Sequence, residues 1–171
     1  MPTYKIAVLP GDGVGPEVTA EAIKVLLALE KPHPDLRFIF TEHPVGARCY
    51  QETGTDLPDD TLEACRQADA ILFGSAGDPD IRFSDGTEIA PQLTLRFLLD
   101  LYAGIRPIKK YPGIPPVLAG DPPIDYVIMR ENTEGLYASR GAGVRVGDDV
   151  AVDNMVITRK GTERIVRSAF E

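Results

Sequence analysis

The chain lacks tryptophan and holds only two cysteines and two histidines in 171 residues. Two cysteines exclude a disulfide framework, and no metal-binding spacing is present. Cys49 and Cys65 are expected to be reduced thiols in a cytosolic protein. Long apolar runs are missing too. None approaches the roughly 18 residues of a membrane span, and MPTYKIAVLPGDG goes straight into a strand without a signal-peptide pattern. A cytoplasmic protein with no membrane partner is therefore expected. Positive charge is the minority: 18 Lys and Arg face 26 Asp and Glu, a net −8. That balance argues against nucleic acid or an anionic membrane as partner. It also means that an anionic ligand must be drawn by a local basic pocket, against the overall field.

What is present suits a globular fold. The length fits one domain or parts of two, enough to bury about 70% of the unfolded surface. Hydrophobic residues make up 43% and charged residues 26%, ordinary for a soluble protein. Sixteen glycines and fifteen prolines exceed the usual share and imply many sharp loops.

Tyr4 to Leu9 reads as a buried strand, followed by the glycine turn PGDGVGP. A helix over Glu17 to Leu29 aligns Val18, Ala22, Val25, Leu26 and Leu29 on one face. Pro16 suits its first turn, and Glu17 suits its positive end. Leu36 to Thr41 reads as a strand, Pro58 to Gln67 as a helix and Ala70 to Phe73 as a strand. This alternation indicates an α/β fold with a parallel sheet. Beyond the loop 74–90, Pro91 to Leu101 reads as a helix and Gly104 to Lys110 as a strand. A proline-rich turn region, YPGIPPVLAGDPP, leads to a strand over Asp125 to Arg130. Val150 to Ile157 alternates like a half-exposed strand. Thr158 to Glu171 begins a helix with Ile165, Val166, Ala169 and Phe170 on one side.

Several residues could carry chemistry, and each has a plainer reading. GDGVGPE lies between a strand and a helix, yet its glycines are not spaced as G-x-G-x-x-G, and Glu30 is only loosely placed to close a ribose site. A tight strand-to-helix turn is the favoured reading on spacing alone. Arg96, Arg106 and Arg130 could be surface or ion-paired arginines. Arg106, however, sits inside GIRPI, and Arg130 ends the apolar strand DYVIM. In open α/β sheets ligands bind at the carboxyl ends of strands. Three guanidinium forks aimed at one point would hold a small polycarboxylate. Tyr137 is either a packed aromatic or a proton donor toward a carbanion or enolate. His33 and His43 read as surface residues. Asp78 and Asp80 read as turn formers, or line a pocket mouth.

PGDGVGPEV, LRFLLDLYAGIRPIKKYPG and DYVIMRENTEGLY, in that order, resemble the β-decarboxylating dehydrogenases, the isocitrate/isopropylmalate dehydrogenase family. The resemblance covers nearly the whole chain. It implies a two-domain α/β fold that is incomplete in this chain. Residues 1–100 would be the N-terminal part of the first, cofactor-side domain, and 101–171 the start of the second, substrate and dimerisation domain.

The resemblance further implies that Arg96, Arg106 and Arg130 clamp the carboxylates of a 2-hydroxy dicarboxylate. Tyr137 would help protonate the enol left by decarboxylation. Gln92 and Leu93 fall where the substrate's side group is read, and Gly74, Ser75 and Glu88 fall on the cofactor side. The implied cofactors are NAD, with NADP as the alternative, and Mg2+ or Mn2+. The catalytic lysine, the metal-binding aspartates and the adenosine loop are expected beyond Glu171, so Asp12, Asp78 and Glu131 are not assigned as metal ligands. A homodimer is implied for the complete enzyme, and no activity for 171 residues alone. Among substrates, 3-isopropylmalate is favoured, and RENTEG keeps tartrate, D-malate, isocitrate and homoisocitrate open. A different class, a non-catalytic carboxylate-binding or assembly module, is the other reading.

Overall fold

In the computed structural model, which describes residues 2–139 and 141–171, the internal contacts divide the chain into two compact units, 1–95 and 96–171.

The first unit is built on a three-stranded parallel sheet. Strand β1 (Thr3–Gly11) lies between β2 (Arg37–Glu42) and β3 (Ala70–Ser75). A central strand covered on both faces needs a continuous apolar run, not an alternating one. Ile6, Ala7, Val8 and Leu9 supply it, and all four are buried. Helix α1 (Gly15–Glu30) makes the crossover from β1 to β2. The parallel α/β expectation holds for this unit.

The face of α1 that packs is rotated from the one its apolar spacing suggests, keeping Ala22 and Leu26 half-buried. Gly15 and Thr19 are buried, whereas Val18, Val25 and Leu29 are 47%, 64% and 44% exposed. The cause is a backbone-to-backbone approach. A Cβ on Gly15 would stand 2.7 Å from the Ser75 carbonyl oxygen, and one on Gly74 would stand 2.6 Å from Thr19 Oγ1. Only small residues permit that closeness, so the small ridge of the helix turns inward and its valines turn out.

Two short helices follow β2. Helix α2 (Ala47–Thr53) has no apolar period to announce it, and α3 (Asp59–Gln67) matches its expected span closely. Asp12, in the middle of the glycine turn, fixes the start of α2. Its buried carboxylate accepts hydrogen bonds from the N–H groups of Ala47 (2.7 Å), Arg48 (2.9 Å) and Gly77 (2.8 Å). One side chain thus satisfies two orphan helix donors and ties down the loop after β3. Cys49 and Cys65 are buried, free thiols, and burial pushes the Cys65 thiol up. His33 is exposed, but His43, expected on the surface, is half-buried at the end of β2, where its N–H reaches the Val8 carbonyl.

Helix α4 (Pro91–Leu98) ends three residues earlier than its apolar spacing suggests. The second unit is antiparallel. Strands β4 (Ala103–Lys109) and β5 (Asp125–Glu131) form a ladder in which Gly104 faces Arg130 and Arg106 faces Ile128. The strand expected over 150–157 shrinks to β7 (Val150–Val152), paired with β6 (Val144–Val146). The Asp153 carboxylate accepts from the N–H of Asn154 and from Ser139 Oγ, which turns the chain out of the ladder.

Helix α5 (Arg159–Phe170) starts where Thr158 caps it. Its inner face is Gly161, Arg164, Ile165 and Ser168, while Val166 and Phe170 are 48% and 90% exposed. Of the apolar set only Ile165 turns inward; Val166, Ala169 and Phe170 mark the outer side. Polar groups dock this helix, as the site geometry shows.

Candidate functional site

The carboxyl end of β5 carries Arg130, and the segment that leaves it carries Tyr137. The two side chains meet: Arg130 Nη2 donates to the Tyr137 hydroxyl oxygen at 2.6 Å, and its guanidinium carbon lies 5.4 Å from the ring centroid. That distance is within reach of a cation–π contact. Arg96, on α4, is close enough to act on the same phenol. The hydrogen bond and charge of Arg130, with a smaller contribution from Arg96, hold the Tyr137 hydroxyl below the ordinary phenol value of 10.0. Both guanidinium groups favour the phenolate, so the O–H is a stronger acid than in water.

Arg106 joins this face through strand register. Arg130 sits opposite Gly104, and Arg106 is two residues beyond Gly104 on the same strand. Arg106 and Arg130 are therefore diagonal neighbours on one face of the ladder, about 7–8 Å apart. None of Arg96, Arg106 and Arg130 pairs with a carboxylate among the described residues, while Arg37, Lys109 and Arg164 all do. In a chain of net charge −8, three unpaired guanidinium groups form a local basic site.

Arg164 occupies the acids that neighbour this site in sequence. It forks onto both Asp100 oxygens at 2.9 and 3.0 Å, reaches Glu131 Oε1 at 3.0 Å and the Thr133 hydroxyl, and stacks 4.4 Å over the Tyr102 ring. Tyr102 in turn contacts Ser168 Oγ at 2.9 Å. This network docks α5 on β5. Burial alone would raise the Glu131 carboxyl. The Thr133 hydroxyl, the N–H groups of Glu134 and Thr133 and the Arg164 guanidinium outweigh it and hold the group below 4.5. A carboxyl depressed in the folded state adds stability that is present above pH 4.5 and lost as pH falls through its folded value. Protection of α5 amides from hydrogen exchange is therefore expected to drop below pH 4.5. In Glu131→Gln that acid limb should vanish; an unchanged acid profile would remove Glu131 from the docking.

The other candidate residues have different surroundings. Gln92 and Leu93 are half-buried on α4, and Gln92 Oε1 is buried with no partner among the described residues. Glu88 is exposed and Ile89 is fully buried. Gly74 and Ser75 end β3 against the glycine turn, where the Asp12 N–H donates to the Ser75 carbonyl at 2.6 Å.

That turn is filled by its own backbone. Gly11 and Gly15 press on Ser75, and the Gly15 N–H is spent on the Asp12 carbonyl. It leaves no open phosphate cradle at these atoms, which favours the tight-turn reading. Glu30 is likewise occupied, accepting from the Phe38 N–H at 2.8 Å. Asp78 makes a turn by accepting from the Asp80 N–H at 3.0 Å. No three His, Cys, Asp or Glu residues converge to hold a metal ion among the described residues, and no helix there is long and apolar enough to cross a membrane.

Comparison with known proteins bears on the whole arrangement. The model of the isocitrate/isopropylmalate dehydrogenase family matches residues 5–171. The chain belongs to this family. It is 46% identical to the 3-isopropylmalate dehydrogenase of Frankia casuarinae over 97% of its own length and 47% of that protein's. It is 48% identical to the enzyme of the same name from Rhodococcus erythropolis, again over 97% of this chain and 48% of the relative. The crystal structure of isocitrate dehydrogenase from Methylococcus capsulatus superposes with a TM-score of 0.79 at 33% identity. It covers 98% of this chain and 46% of that one. The chain thus spans about half the length of the curated relatives it matches, and its α/β architecture is a partial version of the family fold.

Sequence reasoning on family lines named Arg130 and Tyr137. It did not find Asp12, Arg164 or Glu134, whose roles depend on contacts between distant segments. The signals in the sequence are slight: an aspartate between two glycines, acids standing beside the arginines and a glycine in a helix's first turn.

Proposed function

We propose that this chain supplies the substrate grip and the proton donor of an enzyme that oxidatively decarboxylates 3-isopropylmalate. The observation that carries this reading is the Arg130–Tyr137 contact at 2.6 Å, with Arg96 beside it and, among the described residues, no carboxylate paired with any of the three arginines. Unpaired guanidinium forks suit the two carboxylates of a 2-hydroxy dicarboxylate. The relatives named 3-isopropylmalate dehydrogenase favour that substrate over tartrate, D-malate, isocitrate and homoisocitrate.

Arg96, Arg106 and Arg130 bind and orient the substrate. Each charge-assisted hydrogen bond contributes about 1.5–3 kcal/mol, so together they dominate affinity. When CO2 has left, the remaining enolate carbon takes the hydroxyl proton of Tyr137. A C–H bond forms, the O–H bond breaks, and the phenolate is stabilised by the guanidinium groups until solvent returns a proton. Gln92 and Leu93 would meet the substrate's side group, and Gly74, Ser75 and Glu88 would lie on the cofactor side. NAD, with NADP as the alternative, and Mg2+ or Mn2+ are the proposed cofactors of the complete enzyme. The described residues close no metal centre, and the steps assigned to this chain are those its own side chains perform. The complete enzyme is proposed to be a cytoplasmic homodimer, with residues 1–100 in its cofactor-side domain and 101–171 beginning its substrate domain.

The test is turnover of the full-length protein on 3-isopropylmalate, isocitrate, homoisocitrate, tartrate and D-malate with NAD and with NADP. Highest kcat/KM on 3-isopropylmalate with NAD is expected, and no turnover by the 171-residue chain alone. A preference for another of these acids would overturn the substrate assignment. Failure on all five, with binding of dicarboxylates retained, would favour a non-catalytic carboxylate-binding module.

A further inference from the structure

Tyr137 rides on a segment that leaves β5 and is fastened on both sides. Upstream, Glu131 is held by Arg164. Gly135 and Val156 exchange backbone hydrogen bonds at 2.7 and 3.1 Å. Downstream, Ser139 Oγ donates to the Asp153 carboxylate at 2.9 Å.

Within this run Glu134 makes a contact of another kind. Its carboxylate accepts from the Thr158 N–H at 2.9 Å and from the Thr158 hydroxyl. Thr158 is the cap of α5, and its Oγ1 accepts from the Gly161 N–H at 3.0 Å. The Glu134 carboxylate therefore rests on the positive end of α5, where a negative charge is favoured.

Gly161 is what makes room. It is buried in the first turn of α5, and a Cβ there would overlap all three atoms of the Glu134 carboxylate group. Its φ is not among the positive ones, so the backbone does not require glycine. Alanine would favour the helix more. The helix carries its weaker former at a place where a side chain would displace the Glu134 carboxylate.

We infer that Glu134 and Gly161 form a matched lock that positions Tyr137, with Glu134 as the positioning residue and Gly161 as the space that admits it. The lock is a contact within the second unit; its consequence for turnover rests on the proposed role of Tyr137 as proton donor.

Four variants of the full-length protein test it: Gly161→Ala, Glu134→Ala, the double variant and Glu134→Gln. Melting temperature, the Tyr137 phenol titration by 13C NMR of labelled tyrosine, kcat and KM are read for each. Gly161→Ala should lower the melting temperature despite alanine's better helix propensity, and should return the phenol toward its ordinary value. In the Glu134→Ala background the same substitution should raise the melting temperature and leave the phenol unmoved. Glu134→Gln, which keeps an acceptor for Thr158, should restore part of the shift. In both alanine single variants kcat should fall by at least about tenfold with KM little changed. Equal destabilisation by Gly161→Ala with and without Glu134 would overturn the lock. So would an unmoved phenol in Glu134→Ala. A phenol that moves as expected while kcat holds would leave the lock standing and remove Tyr137 as proton donor.

Discussion

Phenylalanine at position 137 is expected to lower kcat of the full-length enzyme by about 100-fold or more, the range of a lost general acid. KM should stay within about threefold, because carboxylate binding rests on the arginines and the substitution removes a group used after binding. The variant is clean in packing terms. The ring that Arg130 covers at 5.4 Å remains, and only the hydroxyl that accepts its hydrogen bond at 2.6 Å is lost. Some product should leave as the enol, before its carbon is protonated. The pH profile gives an independent sign. Tyr137 must be protonated to act, and Arg130 and Arg96 hold it below 10.0. Activity should therefore decline as pH rises through that lowered value, and the decline should be missing from the residual activity of Tyr137→Phe. An unchanged kcat would reduce Tyr137 to packing.

The same residues show where sequence reasoning reaches and where it stops. Strand β1 was readable because a central strand writes itself as an unbroken apolar run, Ile6 to Leu9. The helices are found, but their buried faces are rotated from the expected ones: Ala22 and Leu26 of α1 and Ile165 of α5 are half-buried as expected, while the other members of each apolar set are exposed. Periodicity counts apolar side chains, and the closest approach of each helix is made by other residues. Helix α1 packs through Gly15 and Thr19, where backbones nearly touch, and α5 packs through Arg164, which holds four polar oxygens and stacks on one aromatic ring. Helix α2 was unreadable for a related reason: the carboxylate that caps it belongs to Asp12, 35 residues away from Ala47.

The site divides in the same manner. Arg130 and Tyr137 lie seven residues apart and meet, a local relation that a motif can carry. That Arg106 shares their face follows from the pairing of Gly104 with Arg130, which is fixed only once β4 and β5 form their ladder. The contact of Glu134 with the start of α5 spans 24 residues to Thr158 and leaves one trace in the sequence, a glycine in a helix's first turn.

Arg130→Ala is expected to lower kcat/KM by more than about 100-fold through loss of both a carboxylate partner and the phenol's donor. A charge-assisted hydrogen bond of about 1.5–3 kcal/mol corresponds to roughly 10- to 100-fold in binding, since each 1.4 kcal/mol is a factor of ten. The phenol adds a second loss. Without Arg130 its strongest cause of acidity is gone, so the Tyr137 titration should move up toward 10.0 and kcat should fall alongside the rise in KM. Lysine should not rescue the variant: a guanidinium fork can hold the phenol with one nitrogen and a carboxylate with another, and an ammonium group is a single point of charge. The two residues act as a unit, so Arg130→Ala combined with Tyr137→Phe should cost kcat clearly less than the product of the two single losses. Independent, multiplicative effects would show that the 2.6 Å contact does not couple them in catalysis. Unchanged kinetics in Arg130→Ala would remove this arginine from the site.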